Sequence, residues 1–176
     1  MQKYIALLRG INVSGQKIIK MADLRVLLSD IGLSNVSTYI QTGNIFFESN
    51  KDDIYLLENC IKDAIKKRYL FEVPSIVLKK EDVQRAIERQ PFYDIDFKCL
   101  YLTFLSDTPN SEGMKQITNY QTNGEELILI EKVLYMHSPN GVAKSKLTLN
   151  LIEKKLEVKA TTRNWRTCGK LLEMLN

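Results

Sequence analysis

Residues 3–9 are apolar at nearly every position, with Ile5 and Leu7 on one side of an extended chain and Tyr4, Ala6 and Leu8 on the other. A strand apolar on both faces is expected at the centre of a sheet. The period then changes: Leu24, Leu27, Leu28 and Ile31 recur at helical spacing, and Gly32 follows where a C-cap glycine belongs. Residues 36–41 and 45–48 are rich in β-formers on either side of Thr42-Gly43-Asn44, which predicts a hairpin turning at Gly43. Residues 53–71 place Ile54, Leu57, Ile61, Ala64 and Ile65 on one helical stripe and end on Lys66, Lys67 and Arg68, which complement the helix dipole. Residues 74–78 supply one more strand. The order is β-α-β-β-α-β, the split βαβ or ferredoxin-like unit.

The second half repeats that order. Residues 81–89 predict a short connecting helix stopped by Pro91, and the acidic, aromatic stretch 92–97 follows as a linker. A strand over 99–105 is again apolar on both faces, and Asn110 or Ser111 can cap a helix bearing Met114 and Ile117. Residues 127–130 and 133–137 predict a hairpin with a tight turn near Glu131-Lys132. A helix over 144–156 carries Leu147, Leu151 and Ile152, a strand follows over 158–161, and Trp165, Cys168, Leu172 and Leu175 line a last helix. The reading is α+β: two tandem ferredoxin-like subdomains, residues 1–80 and 98–176, joined by 81–97, with an added C-terminal helix. The repeat is one of element order, not of residues.

Composition narrows the class. The 176 residues are 44% hydrophobic and 26% charged, enough for a real core in one compact domain or two small subdomains. The apolar run at 5–8 is far too short to span a membrane, and residues 1–4 lack the features of a signal peptide, so a cytoplasmic protein is expected. Cys60, Cys99 and Cys168 are odd in number and widely spaced, which argues against a disulfide framework or a structural zinc site. His137 is the single histidine, so neither a metal set nor a Cys-His nucleophile is apparent, and no cofactor motif is present. Charge is uneven: residues 81–140 hold five Lys/Arg against ten Asp/Glu, and 144–170 hold eight against two. Such asymmetry favours a local acidic ligand over a surface coated for nonspecific DNA binding.

Element order places the polar loops. In the split βαβ unit the first strand ends at the edge where the first hairpin turns, so residues 9–17 and 42–44 are expected to be neighbours. Residues 9–17 hold two glycines and the donors Arg9, Asn12, Gln16 and Lys17 with no acid, a combination that suits an anion. Gln41 approaches the same edge, and Asn44 closes the turn. In the second half, residues 138–144 and 161–163 share the opposite edge and lead into helix N-termini. Lys144-Ser145-Lys146 and Thr162-Arg163-Asn164 are therefore two candidate anion seats, although Ser145, Thr162 or Asn164 would cap those helices with or without a ligand. The stretch 140–145 lacks the glycine spacing of a phosphate-binding P-loop. The candidate ligand-binding residues are Arg9, Asn12, Lys17, Gln41, Asn44, Lys146, Arg163 and Asn164. Trp165 opens the apolar stripe of the last helix and reads as a core anchor rather than a base-stacking platform.

Three motifs, YIALLRGINV-x-G at 4–15, TYIQTGN at 38–44 and TTRNW-x-T at 161–167, together resemble a bacterial family of conserved proteins called domain of unknown function 1697. Ser14-Gly15 stands where that family usually has two glycines, and Thr42 where it usually has serine. The resemblance implies an α+β fold in a small bacterial protein and carries no activity, substrate or catalytic residue.

Four functional readings follow. The first is a binding protein for a small phosphorylated or otherwise anionic ligand. The second is nucleic-acid binding, with Tyr4 and Phe46 stacking bases on the face opposite the helices. Against it, that face is expected to be apolar through Tyr4, Ala6 and Leu8 in one half and Leu100, Leu102 and Phe104 in the other. The third is an enzyme acting on an anionic substrate, for which no nucleophile or base is evident. The fourth is an interaction module that forms a homodimer by covering an apolar sheet face. No membrane partner is expected.

Overall fold

A computed structural model describes residues 1–142 and 145–176. The chain folds as two compact units, Met1–Val83 with Leu171–Asn176, and Gln84–Lys170. Both are α+β and ferredoxin-like, as the patterning predicts.

The first unit contains β1 (Gln2–Leu8), α1 (Met21–Asp30), β2 (Ser34–Tyr39), β3 (Asn44–Ser49), α2 (Ile54–Tyr69) and β4 (Ser75–Lys79), with sheet order β2-β3-β1-β4, all pairs antiparallel. Its core joins Tyr4, Ala6 and Leu8 of β1 and Ile45 and Phe47 of β3 to Leu24 and Leu28 of α1 and Leu57, Ile61 and Ile65 of α2. Asp53 caps α2, its carboxylate accepting the amide of Leu56 at 3.0 Å.

The register corrects one expectation. Tyr4 pairs with Phe47 and Ile5 with Phe46, so Tyr4 lies on the helix side of the sheet and only Phe46 lies on the other. A strand apolar on both faces gives no signal of which side meets the helices. The second face, carrying Ile5, Leu7 and Phe46, is also buried, so neither ring is presented as an open stacking platform.

The second unit follows α3 (Lys80–Glu88), which begins in the first, and a single 3-10 turn (Phe97–Cys99). It holds β5 (Leu100–Leu105), α4 (Ser111–Thr118), β6 (Glu126–Ile130), β7 (Val133–His137), α5 (Leu149–Leu156), β8 (Ala160–Asn164) and the start of α6 (Trp165–Leu175). The sheet order, β6-β7-β5-β8, repeats that of the first unit. Leu105, Leu134 and Met136 pack against Ile117 of α4 and Ile152 and Leu156 of α5. At Gly113 an added Cβ would lie 2.2 Å from the carbonyl oxygen of Lys155, so the close approach of α4 to α5 requires glycine there. On the opposite face the Tyr135 hydroxyl donates to the Ala86 carbonyl at 2.7 Å, which sets α3 against that side.

Two boundaries differ from the pattern. The helix expected over 144–156 starts at Leu149, because Thr148 caps it by accepting the amide of Leu151 at 3.3 Å. Leu147 is buried without being helical, and Lys144 lies outside the described residues. The strand expected over 158–161 is Ala160–Asn164, since the ladder with β5 runs from Leu105↔Ala160 to Tyr101↔Asn164. The final helix buries Cys168, Leu171 and Leu175; Trp165 is only half-buried and stacks on Phe97 with centroids 5.2 Å apart.

Candidate functional site

Residues 9–17 and the β2–β3 turn meet, as element order requires. The Leu8 amide donates to the Gly43 carbonyl at 2.8 Å and the Arg9 amide to the Pro74 carbonyl at 2.9 Å. Gly43 has φ +80°, and a Cβ there would lie 2.6 Å from Leu8 Cβ and 3.1 Å from Ile11 Cδ1, so the contact admits no side chain. Asn12 fastens the loop from inside. Its Nδ2 donates to the carbonyls of Gln41 at 2.8 Å and Ile19 at 3.0 Å, and its Oδ1 accepts the Ile19 amide at 2.8 Å.

The loop is strongly shaped. Gly10, Asn12, Ser14, Gly15 and Lys17 all have positive φ, and Val13 and Gln16 form a bridge of their own. Gly10, Ser14, Gly15 and Gln16 are exposed, as are Gln41 and Thr42 across the junction. Lys17 Nζ donates to the Glu72 carbonyl at 2.7 Å. Asn44 is fully buried, and its Nδ2 serves the Tyr39 carbonyl at 3.0 Å and the Thr42 hydroxyl at 3.1 Å.

The matching edge of the second unit has the same backbone frame. The Leu105 amide donates to the Lys132 carbonyl at 2.9 Å and the Ser106 amide to the Lys159 carbonyl at 2.9 Å, the counterparts of the Leu8 and Arg9 bonds. The internal repeat thus extends from element order to individual hydrogen bonds. Its side chains differ: Ser106, Asp107, Glu153, Lys154, Glu157 and Lys159 line an open groove of mixed charge with a volume of about 720 Å³.

The remaining candidates lie in the second unit. Lys146 is exposed in the segment before Thr148, so the anion seat expected from a helix starting at 144–146 has no helix N-terminus. Asn164 caps α6, accepting the Thr167 amide at 2.8 Å. Arg163 is only 8% exposed and sits opposite Leu102, on the sheet face away from α4 and α5. Its Nη1 donates to the Thr161 hydroxyl at 2.8 Å and the Thr162 carbonyl at 2.9 Å. Burial pushes this guanidinium down to about 10 and the neighbouring Cys168 thiol up to about 12, the positive charge of Arg163 partly opposing the latter. A thiol so raised is no nucleophile near neutral pH. His137 Nδ1 lies 3.1 Å from Glu126 Oε1.

The fold defines a tandem of two ferredoxin-like units. The chain belongs to the family described as "Protein of unknown function (DUF1697)", which it matches over residues 1–135. It is also similar to a solved structure of the conserved bacterial protein SP0830 from Streptococcus pneumoniae, at 25% identity and a TM-score of 0.79 over 99% of this chain and 98% of that one. No curated protein matches it. Among the described residues, no helix is long and apolar enough to cross a membrane, and no group of three or more His, Cys, Asp or Glu is placed to hold a metal ion.

Proposed function

We propose that the first unit binds a small phosphorylated or otherwise anionic ligand where residues 9–17 meet the hairpin turn. The observation that supports this is the three-bond anchorage of Asn12 within a loop that contains no acid. A loop pinned by its own side chain holds its backbone amides in place beforehand, so a ligand has little ordering left to impose. Left-handed residues among ordinary ones turn successive amides toward a common concavity, an arrangement that favours anions.

In this reading Arg9 and Lys17 supply positive charge, Asn12 and Asn44 position the loop and turn, and Gln41 stands at the rim. Lys146, Arg163 and Asn164 belong to the other unit and lend it less support, because Arg163 and Asn164 already serve Thr161, Thr162 and α6.

Calorimetric titration with a panel of nucleotides and phosphorylated metabolites tests the proposal. At least one compound should bind saturably, and Arg9→Ala should weaken it about tenfold, the loss of one charge-assisted contact. Lys154→Ala on α5 should leave the affinity unchanged. Absence of binding across the panel, or an affinity indifferent to Arg9→Ala, overturns it.

A further inference from the structure

The two sheets leave four edge strands, β2 and β4 in the first unit and β6 and β8 in the second. An edge strand presents unpaired amides and carbonyls that can take up a further strand, and three of these edges are blunted. On β4 the amide of Val77 donates to the Glu58 carboxylate at 2.8 Å and that of Lys79 to the Asp82 carboxylate at 2.9 Å. On β8 the amide of Ala160 donates to the Glu153 carboxylate at 2.9 Å. On β2 the ladder shifts register between Ser34 and Ser37, and the side chains there are mostly polar.

β6 has none of these devices. It pairs with β7 in unbroken register, and after Glu126 it is wholly apolar: Leu127, Ile128, Leu129 and Ile130. Which of its backbone groups point outward follows from the neighbouring ladder. The Leu105 amide donates to the Lys132 carbonyl and the Ser138 amide to the Cys99 carbonyl, so residues 132, 134, 136 and 138 bond toward β5. Residues 133, 135 and 137 therefore bond toward β6, where their partners are Ile130, Ile128 and Glu126. The amides and carbonyls of Leu127 and Leu129 are directed out of the sheet, and nothing among the described residues bonds to them. Their side chains pack on the helix-side core, while Ile128, on the other face, is 37% exposed.

We propose that this edge pairs with the same edge of a second copy of the chain, β6 against β6, antiparallel and centred on Ile128. In that register Leu127 meets the partner's Leu129, and Ile128 meets the partner's Ile128. The twofold axis repeats the first pair, so the outward amides and carbonyls of Leu127 and Leu129 are all bonded in both copies. The match is particular to this strand. Apolar side chains meet apolar ones on both faces, and the strand's one charge, Glu126, faces Ile130 rather than another acid. Glu126 also lies diagonal to the partner's Lys132, and in each chain the pair of Lys132 with Asp107 is solvent-exposed at 3.3 Å. So short a strand buries little area, which makes the association weak and reversible.

Analytical ultracentrifugation of the full chain tests the pairing. The weight-average mass should rise from 20.3 kDa in dilute solution toward twice that value, and no further, as the protein approaches ~1 mM. Ile128→Lys sets two like charges face to face at the twofold axis and should weaken association at least about tenfold. Ser37→Lys, at an exposed position of the β2 edge, should associate like the wild type. Hydrogen exchange reads the same contact without a substitution: the amides of Leu127 and Leu129 should exchange more slowly as the concentration rises. A mass that stays at one chain, a mass that climbs past two, or association retained in Ile128→Lys overturns the proposal. So does association lost in Ser37→Lys, or concentration-dependent protection at Thr38 of β2 in place of Leu127 and Leu129.

Discussion

The side-chain amide of Asn12 donates to the main-chain oxygen of Gln41 at 2.8 Å, joining the first loop of the chain to a hairpin twenty-nine residues away. With its two bonds to Ile19, this one side chain closes both the loop and the junction. Asn12 also has φ 55°, a left-handed conformation that asparagine tolerates better than most residues.

Asn12→Ala should therefore destabilise the protein by about 2 kcal/mol, from the buried main-chain groups of Ile19 left unmet plus backbone strain. Urea denaturation measures it. Asn12→Asp keeps the Oδ1 acceptor for Ile19 but loses both donated bonds, and should fall between the wild type and Asn12→Ala.

Gly43→Ala should cost more, about 3 kcal/mol, because the new Cβ meets the Leu8 Cβ at 2.6 Å on top of a left-handed φ. Gly10→Ala is the control: its φ of +68° is comparable, yet nothing lies within 4 Å of the added carbon. Strain alone should then cost about 1 kcal/mol. Comparing the two midpoints separates conformation from collision.

Acid sensitivity should have a specific source in the first unit. The Lys79 ammonium, hydrogen-bonded at 2.7 Å, holds Asp52 below its ordinary 3.8, with the Tyr4 hydroxyl assisting. A carboxyl lowered by folding binds its proton less readily in the native state. Its contribution is therefore complete above the unfolded value and is lost as pH falls through the folded one. Asp52→Asn should lower neutral stability slightly, since the pair is largely exposed, and should flatten the decline below about pH 4 by that same small amount. A pH series of denaturation midpoints reads this directly.

The cysteines should label in order of exposure. Cys60 and Cys99 are half-buried, whereas Cys168 is fully buried with its thiol pushed up to about 12. Iodoacetamide at pH 8 should modify Cys60 and Cys99 in the folded protein and reach Cys168 only on unfolding, as peptide mass spectrometry would report.

Much of this fold is legible in the sequence because apolar periodicity and turn glycines set the element order. The meeting of residues 9–17 with 42–44 follows from that order alone. The errors have local causes. Leu147 and Leu151 are spaced as on one helical turn, yet Thr148 intervenes as a cap, so α5 begins later than the pattern implies. Patterning sets β8 too close to Val158 because its own residues, Ala160–Asn164, include a buried arginine that hydrophobic patterning does not anticipate. Patterning does not distinguish the two faces at Tyr4, because β1 is apolar and buried on both sides.

The candidate site was legible as a location more than as a set of contacts. Donors such as Asn12, Asn44 and Asn164 read as ligand groups, and each bonds to the protein's own backbone. Nothing in the pattern marks Glu125, beside Gly124, as buried; its carboxylate turns back on its own loop and accepts the amides of Thr122 and Asn123.

The most direct measurement of the central claim is a nitrogen–proton correlation spectrum of the full chain titrated with the tightest-binding phosphorylated compound of the panel. Saturable shifts concentrated at the amides of Gly10, Ser14, Gly15, Gln16 and Thr42 are the expected result. Shifts concentrated elsewhere, or a spectrum unchanged at millimolar ligand, would contradict it.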